Sequence, residues 1–234
     1  MWSGPRNVST AIMYSFAQRP DTTVWDEPLY GHYLRISGAQ HPGRKEILEK
    51  MDQDGAAISR QMINQDFAKP ILFIKNMAHH LVEVDEDFLK GLSNLILIRD
   101  PAEMLPSLIN QIPDPTLRDT GLKRQWELFS NLKKLQEPIV IDSREFLLQP
   151  KKMLQEICRH LTIPFYPSML KWKPGPIPED GVWSSYWYHE IHLSSGFKPY
   201  KKKRESLPAS LTPLLEECNF YYRKLLEVSV RISV

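Results

Sequence analysis

The sequence predicts an α/β fold, in which a parallel β-sheet is flanked by helices on both faces. Two observations lead to this prediction. Short apolar runs alternate with helical patterns along the chain, and each run is nearly continuous in apolar residues, as expected of strands that are buried on both faces. The predicted strands lie at residues 24–25, 71–74, 95–98 and 139–141.

Helices are predicted between these strands and after the last one. Ser9 and Thr10 are suited to cap the first helix, and Pro101 suits the opening turn of a later one. Because such sheets bind ligands beyond the carboxyl ends of their strands, the segments that follow the strands should meet in one crevice. The predicted helices lie at residues 9–18, 28–36, 44–51, 56–67, 103–110, 122–136, 150–161 and 209–228.

The chain has 234 residues, which is enough for one domain with a full core. We expect residues 1–234 to form a single domain in which most of the first strand is missing, because the chain starts at the loop before the first helix. Residues 164–206 contain six prolines and three tryptophans. This composition is typical of a long, ordered loop segment with a functional role.

Composition narrows the possible functions. The 42% hydrophobic and 25% charged residues are ordinary for a soluble globular protein, and a net charge of +2 gives no field that would attract nucleic acid. No run reaches the ~18 apolar residues of a membrane span, the start lacks a secretory signal, and two cysteines make no disulfide framework. We therefore expect a cytoplasmic protein that binds neither nucleic acid nor membranes and that can form a homodimer. The basic run at residues 201–204 is either a solvated loop or part of an anion site.

Residues 3–10, with the sequence Ser-Gly-Pro-Arg-Asn-Val-Ser-Thr, form a turn that leads into a helix. The free N–H groups and the positive dipole end of a helix start suit a phosphate or a sulfate. Arg6 adds a cation, and Ser9 and Thr10 add hydroxyl donors. The alternative is an ordinary capped helix start. The nucleotide-hydrolase pattern GxxxxGK[ST] is absent from the sequence.

A second candidate phosphate site follows the strand at residues 95–98. Arg99 ends this strand and Ser107 lies eight residues later, so that the two side chains could bracket a phosphate. The alternative is a surface arginine beside Asp100 acting as a helix cap. Two such sites in one chain suggest a ligand with two separate phosphate groups.

Titratable side chains follow two further strands. Lys75 ends one strand and is followed by His79 and His80, which are either bases near neutral pH or purely structural. Asp26 and Glu27 end another strand, where they either cap a helix or provide Glu27 as a base. Adjacent histidines without a further ligand at suitable spacing argue against a metal site.

Several segments resemble those of sulfotransferases, in family order, from residue 1 to about residue 170. Residues 5–10 (PRNVST) resemble the 5′-phosphosulfate loop, and the Arg99-Asp100-Pro101 run with Ser107 is similar to the 3′-phosphate motif. Residues 73–75 (FIK) resemble the strand before the catalytic histidine of the cytosolic members, and residues 142–165 resemble a late strand-and-helix block. The WSGPRN start and the MxHH segment look like those of small sulfotransferase-like proteins.

This resemblance implies a P-loop α/β fold and sulfuryl transfer from 3′-phosphoadenosine 5′-phosphosulfate (PAPS) to a hydroxyl or amine of a small-molecule acceptor. It implies no metal requirement, and it would place Lys75 near the transferred sulfuryl group. The donor-binding residues that it implies are Arg6, Asn7, Val8, Ser9 and Thr10 for the 5′ phosphosulfate, Arg99 and Ser107 for the 3′ phosphate, and Trp183 for a late Gly-x-Trp loop.

The identity of the base stays open at this point. The position two residues after Lys75, a histidine in the cytosolic enzymes, is Met77 here. The base would then be His79, His80 or Glu27, since some bacterial members use a glutamate just after the second strand. The aromatic residues expected to line the acceptor pocket are Tyr30, His32, Tyr33 and those of segment 183–189.

Two other functions are compatible with the sequence. One is a P-loop phosphotransferase or hydrolase, although the missing Lys-Ser/Thr pair would leave magnesium without its usual protein ligand. The other is a non-catalytic nucleotide-binding protein that has kept the donor site without a base.

Overall fold

The computed structural model describes residues 1–202 and 207–232. Five strands form one sheet, and every adjacent pair of strands runs parallel. The strands are β1 (Trp2–Ser3), β2 (Thr22–Asp26), β3 (Ile71–Met77), β4 (Leu95–Ile98) and β5 (Ile139–Asp142). Their spatial order is β2-β3-β1-β4-β5. The predicted fold class, a parallel sheet flanked by helices, is confirmed.

Every predicted helix is present, with ends that shift by a few residues. Short 3-10 turns lie at Ala78–His80, Glu86–Gly91, Pro167–Leu170 and Ala209–Leu211. The helices are α1 (Ser9–Ala17), α2 (Tyr30–Ser37), α3 (Arg44–Lys50), α4 (Gly55–Asn64), α5 (Pro101–Leu108), α6 (Leu117–Thr120), α7 (Leu122–Leu132), α8 (Ser143–Leu148), α9 (Pro150–His160), α10 (Ser184–Trp187), α11 (His189–His192) and α12 (Thr212–Glu227).

The short strand β1 lies in the middle of the sheet. Trp2 pairs with Asn76 of β3 on one side and with Ile96 of β4 on the other. The carboxyl ends of three neighbouring strands therefore meet at one edge of the sheet. The loops that carry the candidate phosphate sites leave from this edge, and Lys75 lies near it among the last residues of β3, as parallel topology requires.

The continuous apolar runs are explained by burial on both faces of the sheet. In β4, Leu95 and Leu97 pack into one apolar cluster, whereas Ile96 and Ile98 pack into another on the opposite side. On the first face, α1 lies against β3, where the Phe16 and Phe73 rings stack with centroids 4.0 Å apart. Helices on both faces hold the sheet rigidly under the loops at its carboxyl edge.

The helix ends show where local reasoning succeeded and where it did not. Pro101 opens α5, as predicted, and Asp100 caps it by accepting the Ala102 N–H at 2.8 Å, which agrees with the alternative interpretation of Asp100. The prediction that Ser9 and Thr10 cap α1 is wrong, because both already lie within the helix. The N-cap is Val8, whose own N–H donates to the Asn7 side chain at 2.8 Å.

Four short helices, α6, α8, α10 and α11, have no counterpart among the predicted elements. Each has four to six residues, too few to show a helical period. Two of them, with one 3-10 turn, lie in the predicted loop segment 164–206. None of the helices within the described ranges is long and apolar enough to cross a membrane.

Candidate functional site

One cavity of about 650 Å³ lies at the carboxyl edge of the sheet. Its walls come from the β1–α1 loop, the ends of β2, β3 and β4, helix α5 and segment 183–201. All of the residues that the sequence suggested for donor binding or catalysis line it; their roles stay predictions. These residues are Arg6, Asn7, Val8, Ser9, Thr10, Glu27, Lys75, His79, His80, Arg99, Ser107 and Trp183.

The β1–α1 loop presents the start of helix α1 to the cavity. Within the described chain, no side chain caps this helix, so its first N–H groups face the cavity with the positive end of the dipole. Asn7 fixes the loop by donating its amide to the Leu97 carbonyl at 3.1 Å. Arg6 adopts a left-handed backbone with φ of 53°, which costs energy for a residue with a side chain.

Arg6 and Arg99 connect the two candidate phosphate sites. The Nε atom of Arg6 donates to the Ser107 Oγ at 2.9 Å, across 101 residues of sequence. Arg99 donates to the Arg6 carbonyl, which also holds the left-handed turn in place. Burial lowers the pKa of both arginines, and Glu103 opposes this at Arg99 with a carboxylate oxygen 3.9 Å away. Two cations and a serine hydroxyl thus converge on one part of the cavity.

Lys75 lies in a buried cluster of ionisable groups at the end of β3. Its side chain is 0% exposed, and its Nζ donates to Asp26 Oδ1 at 2.9 Å, to Glu27 Oε1 and to Tyr188 Oη at 2.6 Å. Asp26 and Glu27 do not cap α2, whose N-cap is Leu29. Burial opposes the charge on Lys75, but the neighbouring carboxylates outweigh it and raise the lysine pKa well above its usual value.

Glu27 is the carboxylate of this cluster that lines the cavity. Burial raises its pKa to about 7, the nearby Asp26 adds to the shift, and Lys75 opposes it. Its backbone is left-handed, with φ of 41°, and its N–H donates to the Lys75 carbonyl at 2.7 Å. The turn therefore folds Glu27 back over β3, toward the lysine rather than along its own strand.

His79 and His80 are packed among aromatic rings. The His80 ring stacks on Tyr30 with centroids 4.7 Å apart and on Tyr33 with centroids 4.6 Å apart. Burial lowers the pKa of His79 to about 3 and that of His80 well below its usual value, so both are neutral at pH 7. The Nδ1 atom of His80 lies 3.7 Å from Glu27 Oε2.

Aromatic side chains form part of the cavity wall. Tyr30 and Trp183 meet edge to face at 5.2 Å, and the Trp187 ring lies 6.3 Å from His41. Trp183 therefore stands beside Tyr30, in the aromatic wall. Lys201 of the basic run also lines the cavity, whereas Lys203 and Arg204 lie outside the described residues.

Comparison with known proteins decides the family. A family model described as "Sulfotransferase domain" matches residues 1–221. The chain belongs to the sulfotransferase domain family.

Relatives of this sulfotransferase-family chain include two longer plant proteins. Branched-chain-amino-acid aminotransferase-like proteins 1 and 2 of Arabidopsis thaliana are 40% and 38% identical to it, over 92% and 93% of this chain. The chain spans 39% of the length of each. The similarity therefore concerns one part of those proteins.

A solved structure shares the fold of this sulfotransferase-family chain. The sulfotransferase domain from the Synechococcus PCC 7002 olefin synthase superposes with a TM-score of 0.54 and covers 92% of each chain. The two sequences are 14% identical, so this likeness shows the common fold alone.

The structure corrects the expected acceptor pocket in two places. His32 and Tyr33 do not line the cavity of this sulfotransferase-family chain. His32 is buried, and its ring nitrogens bond the backbone carbonyls of Gln53 and Val82 at 3.1 and 2.8 Å. Its place in the wall is taken by His41, which sequence reasoning missed because it lies in a loop without a motif.

No group of three or more His, Cys, Asp or Glu side chains in the described residues is arranged to hold a metal ion. That the activity needs no metal stays a prediction.

Proposed function

We propose that this chain transfers a sulfuryl group from PAPS to a hydroxyl or amine of a small-molecule acceptor. The observation that carries the proposal is the hydrogen bond between Arg6 and Ser107. It brings two candidate phosphate sites side by side, in the cavity that also contains Glu27. A donor with a 5′ phosphosulfate and a 3′ phosphate on one nucleoside matches that arrangement.

The chemistry of the residues present fits such a donor. The uncapped start of α1 offers N–H groups to an anion, and Arg6 and Arg99 offer charge-assisted hydrogen bonds. The cavity volume of about 650 Å³ falls in the range of small-molecule and cofactor sites, roughly 300–1,000 Å³. We assign the 5′ phosphosulfate to Arg6, Asn7, Val8, Ser9 and Thr10, the 3′ phosphate to Arg99 and Ser107, and a donor contact to Trp183.

Glu27 is the base that this geometry favours. A general base works best when its pKa lies near the operating pH, and burial brings Glu27 to about 7. His79, with its pKa lowered to about 3, accepts a proton far less readily at neutral pH. The Nδ1 atom of His80 lies 3.7 Å from Glu27 Oε2, and the His80 ring stacks on Tyr30. We therefore assign His80 to shaping the site around Glu27 rather than to taking the proton.

The reaction then divides between the two sides of the cavity. The acceptor oxygen or nitrogen attacks sulfur, the bond from sulfur to the 5′-phosphate oxygen breaks, and Glu27 takes the acceptor proton. Arg6 and the N-terminus of α1 stabilise the negative charge that develops on the departing 5′ phosphate. Tyr30 and Trp187 of the aromatic wall would hold the acceptor, next to the donor contact assigned to Trp183. Positioning and electrostatics supply most of the rate, as in phosphoryl transfer.

Ligand-dependent thermal stability tests the donor. The product nucleotide 3′-phosphoadenosine 5′-phosphate should raise the Tm more than AMP at equal concentration, because only the bisphosphate occupies both phosphate sites. Equal shifts for the two nucleotides would refute the donor assignment. Magnesium-dependent ATP hydrolysis, without sulfuryl transfer from PAPS, would favour the phosphotransferase alternative. Donor binding without turnover over a broad acceptor panel would favour a non-catalytic protein.

A further inference from the structure

Lys75 has no N–H group left for a ligand. An ammonium has three N–H donors, and in Lys75 these point to Asp26 Oδ1, Glu27 Oε1 and Tyr188 Oη. The side chain is 0% exposed, although it lies at the edge of the cavity. Lys75 therefore influences transfer through the groups that it holds.

Tyr188 closes a ring of hydrogen bonds around the lysine. Its hydroxyl accepts from Lys75 Nζ at 2.6 Å and donates to Asp26 Oδ2 at 2.7 Å, while Lys75 donates to the other oxygen of Asp26. The Gly181 N–H also donates to Asp26 Oδ2, at 3.3 Å. Both oxygens of Asp26 are thereby satisfied, and the third N–H of Lys75 is directed at Glu27.

Glu27 is left with one oxygen free for chemistry. Oε1 accepts from Lys75, whereas Oε2 accepts no hydrogen bond from any described residue. Since Glu27 lines the cavity, Oε2 is the oxygen that an acceptor proton can reach.

We propose that Tyr188 is a positioning residue for Glu27: it locks Lys75 and Asp26 into a ring that fixes Lys75 on Glu27 Oε1 and leaves Oε2 to take the acceptor proton. This inference deepens the proposed function and rests on it. It also gives the aromatic segment 183–189 a role in the proton transfer, besides its predicted contact with the acceptor.

The ring predicts how the basicity of Glu27 responds to substitution. Without the Tyr188 hydroxyl, Asp26 loses a donor, its charge is less screened, and Lys75 is drawn toward it, so the pKa of Glu27 rises. Without the Asp26 charge, the positive charge of Lys75 stabilises only the Glu27 carboxylate, so the pKa of Glu27 falls. The titratable groups that face Glu27 from the surrounding elements are Asp26, Lys75, Tyr30, His80 and Tyr188.

The test measures Glu27 directly and then its activity. Glutamate labelled with ¹³C at the side-chain carboxyl is followed by NMR across pH, and the Glu27 signal is assigned by its loss in Glu27→Gln. We expect Tyr188→Phe to raise the pKa of Glu27 by roughly half to one unit, and Asp26→Asn to lower it. The matched control is Tyr221→Phe on α12, where the tyrosine lies outside the cavity and its hydroxyl makes no hydrogen bond among the described residues; it should shift nothing.

The pH profile of kcat/KM with PAPS supplies the second readout. Its acidic limb should move up in Tyr188→Phe by the same amount, with the KM for PAPS unchanged. No shift of the Glu27 signal in Tyr188→Phe, or shifts of equal sign in Tyr188→Phe and Asp26→Asn, would overturn the inference. If the NMR shifts appear as expected but the wild type transfers no sulfuryl group, the role of Tyr188 in the hydrogen-bonded ring is supported and the proposed function is refuted.

Discussion

The two sides of the cavity are built in different ways. The proposed donor side consists of the β1–α1 loop with Arg6 and of the segment from Arg99 to Ser107 in α5. Arg6 and Arg99 are partly buried, and each lies in a short, continuous stretch of sequence. The transfer side is the buried cluster of Asp26, Glu27 and Lys75, completed by Tyr188. The arginines of the first side point their charge toward the cavity, whereas the charges of the second side are paired with one another inside the protein.

Under the proposed function, this difference separates donor recognition from proton transfer. Cations at a helix start suit anion binding and tolerate partial solvation. A buried ion cluster offers few groups to a ligand, but it sets the proton affinity of Glu27, its carboxylate that lines the cavity. Variants on the donor side should therefore change affinity, and variants on the transfer side should change turnover, stability and pH dependence.

Replacing the base gives the largest expected effect. Glu27→Gln should lower kcat by about 10²–10⁴-fold, because an amide cannot take the acceptor proton, while the Tm shift with 3′-phosphoadenosine 5′-phosphate is retained. Steady-state kinetics with PAPS measure the loss.

Glu83→Gln is the matched control for this variant. Glu83 is exposed and has a similar left-handed backbone, with φ of 47°, so its substitution should leave kcat unchanged. If Glu27→Gln kept turnover within about tenfold of the wild type, proton transfer would have to be assigned to His79 or His80.

Removing the buried cation should destabilise the fold. Lys75→Met leaves Asp26 and Glu27 as uncompensated buried carboxylates, and we expect a loss of about 3–5 kcal/mol in the free energy of unfolding. Lys45→Met is the surface control, because Lys45 is 92% exposed and its pair with Glu49 contributes only ~0–1 kcal/mol. Urea denaturation measures both.

A triple variant checks the cause of this instability. Adding Asp26→Asn and Glu27→Gln to Lys75→Met removes the unpaired charges and should restore much of the lost stability. A triple variant as unstable as Lys75→Met alone would mean that packing, rather than charge, makes the lysine necessary.

The sequence predicted the position of the proposed donor side far better than that of the proposed transfer side. Residues 6–10 and the Arg99–Ser107 pair are local patterns, because a strand, a turn and a helix start are adjacent in the chain and a parallel topology fixes where they point. The four longer strands were predicted for the same local reason. The central strand β1 has only two residues, and its place between β3 and β4 appears only in the three-dimensional pairing.

The transfer side could be predicted only in part. Glu27 and Lys75 were identified as strand-end residues, but the bond between Tyr188 and Asp26 spans 162 residues and has no local pattern. For Asp26 the sequence offers a helix cap, whereas the structure gives it hydrogen bonds from Lys75, Tyr188 and the Gly181 N–H. His32 was wrongly placed in the pocket, because the direction in which a helical side chain points depends on packing that composition does not show.

Donor-side variants should act on affinity, with a smaller effect. Arg99→Met should weaken binding of 3′-phosphoadenosine 5′-phosphate by about 10–150-fold, the equivalent of losing ~1.5–3 kcal/mol of charge-assisted hydrogen bonding. Affinity for AMP should fall much less, because AMP lacks the 3′ phosphate.

Calorimetric titration of both nucleotides makes this comparison. Arg159→Met, in which a 74% exposed arginine is removed from α9, controls for the loss of one positive charge. Equal losses of affinity for AMP and the bisphosphate in Arg99→Met would show that Arg99 does not distinguish the 3′ phosphate.

The smallest effect is the pH dependence of the wild type, and it tests which side controls turnover. Glu27 acts as a base only when ionised, and its raised pKa of about 7 means that its ionised fraction falls as pH drops below 7. The kcat/KM should therefore fall by about tenfold per unit well below pH 7 and level off above it. Were His79 the base, with its pKa lowered to about 3, kcat/KM would stay flat between pH 5 and 8. The same acidic limb should persist in His79→Asn, because the ionisation that controls it is that of Glu27. Loss of the limb in His79→Asn would show that His79, rather than Glu27, is the base.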